Sequence, residues 1–126
     1  MTTLTEGRHA AEGVIFEEEA EYSREVVTIN GGTGGAGKVP AMTVLGKLTS
    51  GGFYMPSPAA GSDGSQVASV INLYPVDATD ADVQAVVLCR TAVVAADALN
   101  YEATVDTSDE KAAKATQLLA VGIVVR

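Results

Sequence analysis

Gln66-Val67-Ala68-Ser69-Val70-Ile71-Asn72-Leu73-Tyr74, then Pro75-Val76-Asp77-Ala78-Thr79-Asp80-Ala81-Asp82, then Val83-Gln84-Ala85-Val86-Val87-Leu88-Cys89-Arg90, is the stretch that decides the fold. The first segment predicts a strand with one face better buried than the other. Proline, aspartate and threonine then supply turn formers. The last segment is apolar on both faces in its middle, which predicts a strand central in a sheet. Asp63-Gly64-Ser65 ahead of them reads as a turn, since glycine tolerates positive φ and aspartate bonds its own backbone. Nothing in this strand, acidic turn and strand offers a reactive centre, so action through surfaces is expected.

Toward the C-terminus, Thr91 to Ala96 continues extended structure, and Thr107 opens a helix. Thr107 and Glu110 have capping-box spacing, Asp109 and Glu110 favour the first turn, and Glu110 with Lys114 forms an i,i+4 pair. Ala112, Ala115 and Leu119 are expected to face the core, Gly122 to stop the helix, and Ile123-Val124-Val125 to close the chain as a strand. Toward the N-terminus, Val39 to Leu48 reads as a strand region, Gly51-Gly52 as a hairpin turn into Phe53-Tyr54-Met55, and Pro56 to Gly61 as a loop. Met1 to Asn30 is rich in glutamate, with an apolar cluster Val14-Ile15-Phe16 and a strand-like Glu25-Val26-Val27-Thr28-Ile29. Gly31-Gly32-Thr33-Gly34-Gly35-Ala36-Gly37 follows as a flexible hinge. The expected layout is an N-terminal arm and glycine-rich hinge over 1–37 and a mainly β body with a short C-terminal helix over 38–126.

A chain of 126 residues forms one domain large enough for its own core. Hydrophobic residues make up 47% and charged residues 19%, so some apolar surface is expected to meet a partner subunit. A formal net charge of −8 without a Lys/Arg cluster argues against nucleic acid. No apolar run is long enough for a membrane span, and a cytoplasmic site of synthesis is expected. One cysteine, Cys89, excludes an internal disulfide and a multi-thiolate metal site. Inside an apolar strand it reads as a small buried hydrophobe.

Gly32-Thr33-Gly34-Gly35-Ala36-Gly37-Lys38 matches the glycine and lysine spacing of a phosphate-binding loop. That chemistry needs a hydroxyl after the lysine and a helix whose amides face the phosphates; here Val39 and Pro40 follow. Asp77, Asp80 and Asp82 lack the spacing of a calcium loop and suit a solvated turn. His9 is the sole histidine and lies in a polar segment without triad partners. Glu17-Glu18-Glu19 reads as a solvated, self-repelling run, with docking of a basic partner as the alternative. No catalytic residue, cofactor site or metal site is expected.

Pro40-Ala41-Met42-Thr43, then Asp63-Gly64-Ser65 leading into Val70-Ile71-Asn72-Leu73, then Tyr74-Pro75-Val76-Asp77-Ala78-Thr79, and finally Thr107-Ser108-Asp109-Glu110-Lys111 before Gly122-Ile123-Val124-Val125 form an ordered series. The series, running from about Val39 to Arg126, resembles the lambda-type phage head decoration protein family. The resemblance implies a β-clip-like fold and a non-enzymatic homotrimer at three-fold positions of the expanded head. It also implies the major capsid protein as partner, an arm that orders on it, and a place on the outer surface of the virion. Another virion structural protein, or a small β-clip ligand-binding module using the glycine loop, are the alternatives.

Strand addition to an exposed coat edge suits the arm's composition, and three weak arms on one trimer would raise the effective concentration. The expected coat-contacting residues are Val14, Ile15, Phe16, Val26, Val27 and Ile29, with Phe16 and Ile29 as apolar anchors.

Overall fold

The computed structural model describes residues 13–17 and 23–126. Among the described residues the chain is mainly β with a short C-terminal helix. Among the described residues the strands are β1 (Val14–Glu17), β2 (Arg24–Ile29), β3 (Gly37–Val39), β4 (Val44–Lys47), β5 (Tyr54–Pro56), β6 (Ala68–Asn72), β7 (Val76–Ala78), β8 (Val83–Leu88), β9 (Ala92–Val94) and β10 (Ile123–Val125). A 3₁₀ turn covers Ala96–Ala98, and the helix α1 covers Ser108–Leu119.

Five strands close a small barrel in the order β2-β5-β4-β6-β8. The two strands of the deciding stretch are neighbours in it, β6 and β8 joined antiparallel through Ile71↔Leu88 and Asn72↔Val87, and β8 is flanked by β2 on its other side. β8 is buried on two faces as expected, and β6, expected to have one better-buried face, is buried on both as well, because each strand has a core on either side. Ala85 and Val87 of β8 point into the barrel with Ile29, Leu45 and Val70. Leu88 points the other way, into a second core shared with Ile71, Val94, Leu118 and Ile123. That second core lies under α1 and a three-stranded sheet ordered β1-β9-β10.

Arg24–Ile29, expected on the arm, is a barrel strand: β2 pairs with β8 at every position from Arg24↔Leu88 to Ile29↔Val83. The glycine run expected to act as a hinge is a hydrogen-bonded loop that leads directly into β3. Gly32 N donates to Ala78 O at 3.0 Å, Ala36 N to Asn30 O at 2.8 Å, and Gly31 N to the Asp82 carboxylate at 2.8 Å. A Cβ on Gly31 would stand 2.0 Å from Ala81 O, and one on Gly35 2.4 Å from the Gly31 carbonyl carbon. Glycine serves here for close approach. The barrel fold therefore begins at β2, ahead of the boundary expected at residue 38.

Helix α1 starts as expected. Thr107 Oγ1 accepts from Glu110 N, and the Glu110 carboxylate accepts from Thr107 N at 3.1 Å, a complete capping box. Its buried face differs from the expected one. Lys114 and Leu118 are buried, whereas Ala112 is exposed and Leu119 is 58% exposed. Lys114 takes the core-facing position because three oxygens wait for it. Its Nζ donates to Ser57 Oγ at 2.9 Å, Pro58 O at 2.6 Å and Gln66 O at 2.6 Å. Gln117 adds a second polar tie, its side-chain oxygen accepting from Ala68 N at 2.8 Å.

Candidate functional site

Among the described residues, no helix is long and apolar enough to cross a membrane, and no group of three or more His, Cys, Asp or Glu side chains is placed to hold a metal. The glycine loop leads into strand β3 and not into a helix whose amides could cradle a phosphate. Asp77 accepts from the amide of Thr79 at 3.0 Å, the local bond of a turn, and Asp82 is committed to Gly31. Glu17 is paired with Arg24 instead of standing free in solvent. Glu18, Glu19 and His9 lie outside the described residues.

Cys89 is half-buried at the end of β8. Its Sγ donates to Ser23 O at 3.3 Å and lies 3.4 Å from Glu25 Oε2. Burial first, then the hydrogen bond to Glu25, pushes the thiol pKa up to about 11. A thiol so held is a poor nucleophile at neutral pH.

What remains is surface, and its most distinctive part is β1. Gly13 O accepts from Ala95 N at 2.7 Å. A side chain at Gly13 would meet Ala98 Cβ at 2.6 Å, so glycine lets the strand enter flush against the 3₁₀ turn. β1 then runs antiparallel to β9, with a register shift between Val14 and Phe16. Only Val14 packs on the core; Ile15 is 59% and Phe16 52% exposed. At its far end the Glu17 carboxylate receives Arg24 Nε at 2.9 Å and Nη2 at 2.7 Å, and Arg24 Nη1 reaches Tyr74 Oη at 3.1 Å. This two-pronged bond to Glu17 raises the Arg24 pKa further above its ordinary value. The strand is thus clipped at both ends, with its apolar residues turned outward between the clips. No strand covers its outer edge among the described residues.

The second exposed strand edge is on β2. Its partner β5 meets it only through the parallel pair Ile29↔Tyr54, so Arg24 to Thr28 have no strand on that side among the described residues. Val26 is 60% exposed there.

The six expected contact residues therefore divide. Ile15, Phe16 and Val26 are presented to solvent. Val14 and Val27 are partly buried against the two cores. Ile29, expected as an anchor, is fully buried inside the barrel, where a β-branched side chain fills space that no partner can reach. Burial of Ile29 was hidden in the sequence because its partners Val83 and Tyr54 come from distant segments.

Comparison with known proteins adds the rest. The family model described as bacteriophage lambda head decoration protein D matches residues 3–123 of the 126-residue chain, including the N-terminal segment that the motif series left out. No curated protein matches the chain. The family is one of structural viral proteins, and its membership supports a role in decorating the phage capsid. With nearly its whole length matched and a mainly β structure to go with it, the chain belongs to the bacteriophage lambda head decoration protein D family.

Proposed function

We propose that this protein binds as trimers at the three-fold positions of an expanded phage head and reinforces the coat lattice from outside. The observation that carries this reading is the family match over residues 3–123. The surface fits it: the described residues offer an outward apolar strand, β1, with an open edge, and a second open edge on β2. Each is suited to pairing with an extended segment of the major capsid protein. Ile15 and Phe16 are the proposed apolar contacts, joined by Val26; Val14, Val27 and Ile29 hold the strands in place. One such contact is weak, but three on one trimer act together. Coat edges that reach the right spacing only after expansion would restrict binding to the expanded shell. The same role sets the protein on the outer face of the virion after synthesis in the host cytoplasm.

The test is co-sedimentation with expanded and unexpanded empty shells of the cognate coat protein. The full chain, a chain beginning at Gly13, and the pair Ile15→Ala and Phe16→Ala would be compared. Saturable binding to expanded shells by the full chain, weakened at least ~10-fold by the two alanines, supports the reading. Binding untouched by the alanines moves the contact off β1, and no binding by the full chain sinks the function.

A further inference from the structure

Asn30, at the mouth of the glycine loop, is the asparagine of this chain that precedes glycine; Asn72 precedes leucine and Asn100 tyrosine. An asparagine followed by glycine carries its own reaction. The Gly31 nitrogen, once its proton has gone to hydroxide, attacks the carboxamide carbon of Asn30. A nitrogen–carbon bond forms and the bond from that carbon to its NH2 breaks. The departing group takes a proton from water and leaves as ammonia, and a cyclic imide remains. Water then opens the imide at either carbonyl, giving aspartate or isoaspartate. The sum is amide plus water to acid plus ammonia, with nothing oxidised or reduced. Glycine permits the attack because no Cβ crowds the approach.

The fold holds each participant away from this reaction. The Gly31 N–H donates to Asp82 Oδ1 at 2.8 Å, so the proton that must leave is bound to a carboxylate. An amide anion in its place would face that carboxylate as a like charge. The main chain of Asn30 is pinned on both sides, its N donating to Tyr54 O at 3.0 Å and its O accepting from Ala36 N at 2.8 Å. Gly31 has little room to turn: a Cβ there would stand 2.0 Å from Ala81 O and 2.6 Å from Ala78 O. The Asn30 carboxamide is drawn toward β5, its Nδ2 lying 3.7 Å from Met55 Sδ. These ties come from separate segments, and the one on the attacking nitrogen is Asp82's.

We propose that Asn30 is a latent deamidation site, held closed in the folded chain by the Asp82 carboxylate on the Gly31 nitrogen. Once the loop opens, the change is irreversible. Aspartate at this position adds a negative charge to a chain already at −8. Isoaspartate adds a carbon to the main chain and moves the carbonyl that Ala36 N needs out of line, so the loop no longer fits its partners. The modification thereby marks chains whose glycine loop has come undone, with or without a shell to bind.

The experiment incubates the full chain at mildly alkaline pH, folded and in guanidinium chloride, and reads the mass gain of amide-to-acid conversion at Asn30 by peptide mapping. Wild type is compared with Asp82→Ala, Asp82→Asn and Ile123→Val, each checked for folding by circular dichroism. Ile123 is buried in the second core, so its variant lowers overall stability and leaves the guard in place. Conversion is expected in guanidinium chloride and little of it in folded wild type. Folded Asp82→Ala should convert about 5- to 10-fold faster than folded wild type, the lower range for a charge-assisted bond because Asp82 is exposed. Ile123→Val should stay at the wild-type rate. Asp82→Asn, which keeps an oxygen acceptor without the charge, should fall between, and it decides alone if the alanine variant does not fold. Four results would each overturn the proposal: folded wild type converting as fast as the denatured chain, no conversion in the denatured chain, folded Asp82 variants at the wild-type rate, or Ile123→Val as fast as the Asp82 variants.

Discussion

Replacing Lys114 with methionine tests the oddest feature of the core. The side chain is 2% exposed and its ammonium group meets only neutral oxygens: one hydroxyl and two backbone carbonyls. Methionine keeps the length of the apolar stem and removes every donor. Ser57 can turn its hydroxyl elsewhere, but the carbonyls of Pro58 and Gln66 lose their partner, at about 1–3 kcal/mol each. Part of this is returned because no charge is buried any longer. A net loss of about 3 kcal/mol follows, which lowers the melting temperature of a domain this size by about 10–20 °C. Urea unfolding of wild type, Lys114→Met, Ser57→Ala and the double variant would give both the loss and the coupling of the pair. Burial pushes the Lys114 pKa down, with Glu102 opposing, so above its folded pKa the unfolded chain holds more protons. Wild-type stability should then rise relative to Lys114→Met as pH climbs from the folded value toward the unfolded value near about 10.4. Lys114→Met within about 0.5 kcal/mol of wild type would refute the reasoning, since that is the range of ordinary surface changes.

Ile29→Asp buries an unpaired carboxylate in the barrel and should unfold the protein by circular dichroism, whereas Phe16→Ala should keep the wild-type melting curve. Gly31→Ala forces a Cβ to within 2.0 Å of Ala81 O and should cost about 1–3 kcal/mol by urea unfolding. Thr91 holds φ +46°, a left-handed conformation that strains a β-branched residue by about 1–2 kcal/mol, so Thr91→Gly should hold or gain up to about 1 kcal/mol in the same assay. With its thiol pushed up to about 11 from 9.0, Cys89 should react with iodoacetamide at pH 8 about 100-fold more slowly than an unperturbed thiol, and Glu25→Gln should speed it.

Local signals were the legible part. The β6 and β8 strands, the capping box of α1 and the closing strand β10 all follow from residues within a few positions of one another, whereas Pro75 to Asp82, read as a turn, holds strand β7, whose partner β3 lies far off in the sequence. Pairing across the chain was not legible. Val26 to Ile29 read as a strand in the sequence, but nothing near them says that Val83 to Val86 will be their neighbours. Glycine-rich runs carry two meanings, freedom and close approach, and only the carbonyls of Ala78 and Ala81 decide for the second. On α1 the alanines suggested the buried face, while the true inner stripe carries a lysine. The family resemblance reached further than any of these, because the order of weak motifs survives where each motif alone means little.

One detail of the small sheet bears on how the protein can be rebuilt. Val94 pairs with Val14 on one side and Val125 on the other, so the first and last described strands stand level across β9. Two strand spacings, about 10 Å, separate them. About four residues of linker would join Arg126 to Gly13, and new ends could be cut at the exposed Gly51. Such a circular permutant would keep all the described strand pairings while moving both termini to the hairpin tip between β4 and β5.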